Sequence, residues 1–221
     1  MIRNRLAVLL AERGLKITRV AKDTGISRNT ITATAQNDSE MIRLETINTL
    51  CKYLSITPCE FFEYEPLDIS FSLEVVSFPF KFNEAEQVLW SEELKADLFM
   101  DIDGVPNLES VDLTCSVHNG VLFDSDGNKK VSLKVEFDDK KEEELFLNEV
   151  YSKLKPSFHK EIYYSLYSTI EMEINKKVHS NITNCINKHL DSFIHFSFLE
   201  VLSSAIENYD LEIQSDVFKP F

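Results

Sequence analysis

The sequence has few of the residues that build zinc sites or disulfide scaffolds. It holds four cysteines in 221 residues, and Cys51, Cys59, Cys115 and Cys185 lie far apart without a CxxC pair. Structural zinc sites and disulfide frameworks use closely spaced cysteines. We therefore expect reduced thiols, no metal site and no cofactor.

Long apolar runs are also missing. Residues 1–10 are interrupted by Arg3, Asn4 and Arg5, which is unlike the apolar region of a secretory signal peptide. No apolar run approaches the roughly 18 residues that a membrane-spanning helix needs. The sequence therefore predicts a cytoplasmic protein that does not contact a membrane.

Positive charge is scarce and unevenly placed. The formal net charge is −14, yet residues 1–37 hold seven Lys or Arg against two acidic residues, a net charge of +5. Residues 67–221 carry −15. Because phosphates attract the first segment and repel the second, we expect any nucleic-acid-binding surface in the N-terminal segment.

Apolar spacing and caps predict an all-α region over the first 65 residues. Gly14 and Gly25 are expected to end the first two helices, Ser27 to cap the third, and Thr57-Pro58 to open the fifth. The five helices are expected at residues 2–13, 18–24, 28–35 and 44–53 and from residue 58.

After Pro66 the pattern becomes that of an α+β region. Alternation of apolar and polar residues predicts strands at 69–75, 96–102, 110–117 and 130–137. The turn signals Asp103-Gly104, Asn119-Gly120 and Asp126-Gly127 favour a meandering antiparallel sheet. Helical spacing returns from about residue 139 through 153, and continues from Pro156 to about 190 and on to 206. The fold class is therefore multidomain: an all-α domain over residues 1–66, then an acidic α+β domain over residues 67–221.

Residues 15–31, LKITRVAKDTGISRNTI, have the spacing of two helices joined by a tight turn. Ala21 allows a close helix crossing, Gly25 permits a positive φ, and Ile26 and Ile31 supply apolar contacts. The string resembles the helix-turn-helix of lambda-repressor-like proteins, also called the XRE family, and the resemblance covers residues 1–65. It implies binding to double-stranded operator DNA.

Two groups of DNA-contacting residues follow from this interpretation. The exposed face of the third helix should contact base edges in the major groove, and flanking positions should contact phosphates. The expected base contacts are Arg28, Asn29, Thr32 and Gln36; the expected phosphate contacts are Ile17, Thr18, Arg19, Thr30, Thr34 and Asn37.

The C-terminal region lacks the motifs of a catalytic domain. Self-cleaving repressors carry a Gly-Asp-Ser-Met-like string and a downstream lysine, but Gly104, Gly120 and Gly127 are followed by Val, Val and Asn. His159-Lys160-Glu161 is not an HExxH motif. We therefore expect a protein that is not an enzyme.

A long helical segment carries an apolar residue at nearly every fourth position. A helix of about 25 residues or more is longer than a small sheet covers, which favours packing on a second subunit over a purely internal role. The expected dimerisation residues are Ile162, Leu166, Ile170, Ile174 and Val178.

These features favour a sequence-specific repressor of a phage or other mobile element. The C-terminal domain would assemble a homodimer or higher oligomer and receive an antirepressor or inducer protein. The alternative is an autoregulating antitoxin or immunity protein whose acidic domain binds a cognate partner. An activator is a third, weaker possibility.

Overall fold

In a computed structural model of the protein, the structure describes residues 1–37, 41–124, 126–189 and 196–220. The chain divides into two compact units, Met1–Pro66 and Leu67–Phe221. No helix among the described residues is both long enough and apolar enough to cross a membrane.

The first unit is helical with a small two-stranded sheet. Its helices are α1 (Leu6–Glu12), α2 (Ile17–Thr24), α3 (Arg28–Gln36), α4 (Leu44–Leu54) and the single turn α5 (Pro58–Phe61). Because the fifth predicted helix is only one turn long, the expected five-helix bundle is not confirmed in that detail.

The first predicted helix begins later than expected. Residues Ile2–Asn4 form strand β1, which pairs antiparallel with β2 (Phe62–Tyr64), Ile2 lying opposite Tyr64. The Asn4 side chain then accepts a hydrogen bond from the Leu6 amide at 3.0 Å. The helical prediction for residues 2–4 was wrong because the strand partner lies 60 residues away and local periodicity cannot reveal it.

The core of the first unit draws on every one of its helices. Its ten buried members are Leu6, Leu9, Leu10, Val20, Ile31, Ile47, Leu50, Cys51, Leu54 and Phe61. Removal of these side chains from water is the main force that holds such short helices together, because helices of this length are marginal alone.

A sheet of seven strands forms the first half of the second unit. The strands are β3 (Asp68–Ser77), β4 (Lys81–Asn83), β5 (Val88–Ser91), β6 (Lys95–Asp103), β7 (Ser110–Asp124), β8 (Lys129–Phe137) and β9 (Asp210–Gln214). The path β3-β6-β7-β5-β4 is antiparallel, and β8 pairs with β7 and, in parallel, with β9. The four predicted strands are confirmed, whereas β4, β5 and β9 were not predicted.

The predicted turn at Asn119-Gly120 lies inside β7. Both residues have positive φ, 55° and 78°, and the register with β8 shifts between Val117 and Val121. The two residues therefore form a bulge. As a result, β7 pairs first with β6 and then with β5.

Helices complete the second unit. They are α6 (Lys140–Glu149), a 3-10 turn at Tyr151–Lys153, α7 (Pro156–His189) and α8 (Phe196–Glu207). Residues 190–195, through which the helical prediction ran, lie outside the described residues. Near the C-terminal end, Phe218 packs against Phe71, Phe137 and Phe146 and closes the core.

The apolar stripe of α7 is internal. Helix α7 contacts β3 and α8, and the predicted dimerisation residues Ile162, Leu166, Ile170, Ile174 and Val178 are at most 1% exposed. A side chain buried within its own unit has no surface left for a second subunit. The assignment of these five residues to a dimer interface was therefore wrong, and the internal role is the one observed.

Candidate nucleic-acid interface

The turn between α2 and α3 is set by Gly25 and Ser27. Gly25 ends α2 with φ 75°, and a Cβ built there would meet nothing within 4 Å. Backbone conformation, not space, therefore favours glycine at this position. Ser27 then caps α3, because its Oγ accepts from the Thr30 amide at 3.1 Å.

Helix α3 is docked through one face. Ile31 and Thr34 are buried at 0% and 1% exposure, while Ala21 and Ile26 pack against the core from the preceding helix and the turn. With 3.6 residues per turn, this docking leaves the opposite face of α3 outward.

The four predicted base-contacting residues lie on the outward face of α3. Arg28, Asn29 and Gln36 are exposed and Thr32 is half-buried. None of the four forms a side-chain hydrogen bond or ion pair within the part of the chain that the structure describes. Two amides, a guanidinium and a hydroxyl therefore remain available on one helix face, and these are groups that pair with base edges.

Two of the predicted phosphate contacts, the buried Thr34 and the exposed Asn37, take part in hydrogen bonds within the fold. Thr34 is 1% exposed, so its assignment was wrong. Asn37 ends α3 with φ 57°, and its Oδ1 accepts from the Asn4 amide at 2.8 Å and from Asn4 Nδ2 at 2.7 Å. Asn4 Nδ2 also donates to the Thr34 carbonyl at 2.7 Å. These contacts fasten the end of α3 to β1.

The start of α2 offers backbone amides and an exposed hydroxyl. Ile17 packs its side chain against the core, whereas Thr18 is exposed. The Lys16 carbonyl accepts from the amides of Arg19 and Val20, and the first amides of a helix have no acceptor within it. Ile17 can thus contribute through its N–H group alone. Thr30, also exposed, shares a 2.8 Å hydrogen bond with Ser27.

Arg19 is exposed and linked to two other side chains. Its Nε donates to Asp23 Oδ2 at 2.6 Å, and the Tyr53 hydroxyl donates to the same oxygen at 2.9 Å. The hydrogen bonds from Arg19 and Tyr53 hold the pKa of the Asp23 carboxyl below its ordinary value. Asp23 therefore stays ionised at neutral pH.

Sequence reasoning missed Asn4, Asp23 and Tyr53. The Arg19–Asp23 pair has the i, i+4 spacing of helix ion pairs and was available as a signal. Tyr53 lies 30 residues from its partner Asp23, and Asn4 lies 33 residues from its partner Asn37. No local pattern indicates contacts of this separation.

The described residues hold no group of three His, Cys, Asp or Glu placed to bind a metal ion.

A family comparison agrees with this geometry. The family model for the Cro/C1-type helix-turn-helix DNA-binding domain matches residues 5–66. The resemblance read from residues 15–31 is thereby confirmed for the N-terminal segment. The chain thus carries a domain of a kind found in DNA-binding transcriptional regulators.

One solved structure is similar to the same segment. It is a crystal structure of a Bacteroides fragilis protein provisionally named as DNA-binding, with 28% identity and a TM-score of 0.27, covering 28% of this chain and 100% of that chain. No curated protein matches the chain.

Proposed function

We propose that the protein is a sequence-specific transcriptional repressor of a phage or other mobile element. The observation that carries this proposal is the outward face of α3, where Arg28, Asn29, Thr32 and Gln36 form no side-chain hydrogen bond or ion pair with any residue that the structure describes. Such a face on the second helix of a helix-turn-helix enters the major groove and reads base edges. A repressor needs no further chemistry than occupancy of its site.

Phosphate contacts would orient α3 in the groove. Thr18, Arg19 and Thr30 are exposed beside the α2–α3 turn, and the Ile17 N–H group lies at the start of α2. Contacts of this kind fix position on the duplex without selecting a sequence. We assign affinity to these four residues and sequence preference to α3.

Assembly is the proposed role of the second unit. One small helix-turn-helix covers one half-site, and a dimer spans two half-sites about 34 Å apart. A dimer that uses the second unit must use exposed side chains, because the α7 stripe is buried. We expect residues 1–66 alone to fold but to bind an operator weakly, since a monomer has no second half-site contact.

Regulation by a partner protein is proposed for the same unit. The exposed side of its sheet presents Asp97, Asp101 and Asp112 on adjacent strands, with Phe99 opposite Asp112. A surface of net negative charge favours a basic partner and disfavours DNA. A partner that binds only the DNA-free form would release the operator by mass action.

Selection from a random duplex pool with the full chain tests the proposal. We expect an enriched, two-fold symmetric sequence with half-sites about one helical turn apart. Transcription in vitro from a promoter that carries this sequence should fall when the protein is added, and the sequence should lie beside excision or lytic genes in the source genome. Binding without sequence enrichment would refute sequence-specific regulation, and increased transcription would indicate an activator.

A further inference from the structure

Arg19, Asp23 and Tyr53 form a continuous chain of hydrogen bonds between two helices. Asp23 Oδ2 accepts from Arg19 Nε at 2.6 Å and from the Tyr53 hydroxyl at 2.9 Å. Arg19 and Asp23 lie on α2, whereas Tyr53 lies on α4. A single carboxylate oxygen therefore joins the exposed arginine to another part of the fold.

Tyr53 anchors this series of hydrogen bonds to the folded core. Its side chain is partly buried and packs against the core of the first unit, which restricts where its exposed hydroxyl can lie. The Arg19 side chain at the other end is 66% exposed. The two hydrogen bonds thus restrict the rotamers of the Arg19 side chain, which would otherwise sample many of them in solvent.

The guanidinium keeps donors for a ligand. Its Nε–H group donates to Asp23, and the guanidinium also interacts with the Tyr53 hydroxyl. Nη1 and Nη2 carry four N–H donors, more than one hydroxyl can accept. Phosphate is bound well by a planar guanidinium that presents two parallel N–H donors. Arg19 also follows the exposed start of α2, where Ile17 and Thr18 present backbone amides.

We propose that Tyr53 and Asp23 are positioning residues that hold the Arg19 guanidinium in place for a DNA phosphate. The proposal rests on the DNA binding proposed above and adds how one contact is prepared before DNA arrives. Pre-ordering reduces the conformational entropy that Arg19 loses on binding. Asp23 also offsets part of the charge of Arg19, so its substitution changes two quantities at once.

Tyr53→Phe is the cleaner variant because it removes one hydroxyl and changes no charge. We propose to measure binding of the full chain to a fluorescein-labelled mixed-sequence duplex of about 30 base pairs, from about 50 to 200 mM salt. Tyr53→Phe should weaken binding about threefold, because Arg19 then pays the ordering cost on binding. In the Arg19→Ala background the same change should have no effect, and Arg19→Ala itself should lower the salt slope by about 0.9 for each bound protomer.

Tyr64→Phe is the matched control, since Tyr64 is 67% exposed in the same unit and should leave binding unchanged. The NMR signal of the Arg19 Nε–H group reports positioning independently of affinity. It should exchange slowly with water in the wild type and rapidly in Tyr53→Phe.

Three results separate the proposals. An equal loss from Tyr53→Phe with and without Arg19, or no loss at all, overturns the positioning role. An Arg19 Nε–H signal that is unchanged in Tyr53→Phe overturns it as well. Failure of the wild-type chain to bind any duplex would instead refute the proposed function.

Discussion

Asn4 and Asn37 are joined by three hydrogen bonds, two accepted by Asn37 Oδ1 and one donated from Asn37 Nδ2 to the Asn4 carbonyl at 3.0 Å. Asn4 is 4% exposed whereas Asn37 is exposed, so these bonds are shielded from water on the Asn4 side only. The pair connects Asn37, the residue that follows α3, to strand β1. The orientation of the proposed recognition helix therefore depends on contacts made 33 residues away in the chain.

Removal of this pair should loosen the end of α3. Asn4→Ala leaves the Thr34 carbonyl and the Leu6 amide without their side-chain partners, and we expect a local loss of about 2–3 kcal/mol. Asn37→Gly should lower the local stability at the end of α3 by about 1–3 kcal/mol, and glycine adopts the φ of 57° found there without strain. Asn37→Ala should cost about 1 kcal/mol more, because a Cβ disfavours positive φ. Hydrogen exchange of the full chain, read over residues 28–37, measures these changes.

Asn48→Ala is the control for the asparagine variants. Asn48 is exposed on α4, and its replacement should leave exchange in α3 unchanged. Equal protection of residues 28–37 in the wild type and in Asn4→Ala would show that the pair does not hold the helix.

Arg28 and Asn29 should determine sequence preference. Arg28→Ala and Asn29→Ala are each expected to weaken binding to the selected sequence by roughly 1–3 kcal/mol, with little change on mixed-sequence DNA. Arg19→Ala should weaken both about equally, because a phosphate contact carries no sequence information. Competition between the two duplexes measures the ratio. An equal loss on both for Arg28→Ala would assign that residue to the phosphates instead.

Ile170 should stabilise the second unit itself. It is 0% exposed, so Ile170→Ala should reduce the free energy of unfolding by about 2–5 kcal/mol. Met172→Ala, at a position 55% exposed on the same helix, should change it by at most about 0.5 kcal/mol. Urea unfolding of the full chain, followed by fluorescence of its single tryptophan, Trp90 in β5, compares them. If the Ile170→Ala variant is instead a folded monomer of unchanged stability, Ile170 belongs to a subunit interface and not to the core.

The cysteines should differ sharply in reactivity. Burial raises the pKa of the Cys115 thiol to about 12 and that of Cys185 to about 11, and burial also raises the pKa of Cys51. A raised pKa leaves less thiolate, on the order of one part in ten thousand for Cys115 at pH 8. Iodoacetamide should therefore modify the exposed Cys59 first. Mass spectrometry of the native chain measures the order in which the cysteines are modified. In urea, which exposes all of them, the difference between them should disappear.

The helix-turn-helix could be predicted because its determinants are local. Gly25, Ser27 and Ile31 act within two adjacent helices, and the helical period identifies the outward face. Pairing between β1 and β2 could not be predicted, since its residues lie at opposite ends of the first unit. For the same reason Thr34 and Asn37 were assigned to phosphates: their partner, Asn4, is invisible to any local pattern.

The second unit shows the same limit on a larger scale. Strands with long alternation, such as β3 and β6, were predicted nearly to their ends. The short strands β4 and β5 carry too few residues for a period, and Asn119-Gly120 has the composition of a turn whether the chain reverses there or only bulges. The α7 spacing correctly indicated a buried face, but periodicity does not identify what covers that face.

The parallel pairing of β9 with β8 also affects the order of events during synthesis. Lys130 lies opposite Asp210, about 80 residues later, and contacts of such separation form late in folding. The edge of β8 must wait for β9, which ends at Gln214, whereas all contacts of the first unit are available once residue 66 has left the ribosome. At about 5–20 residues per second, translation from residue 66 to the end of β9 takes on the order of ten seconds. During that interval each nascent chain would carry a folded DNA-reading unit attached to an incomplete sheet with an open edge.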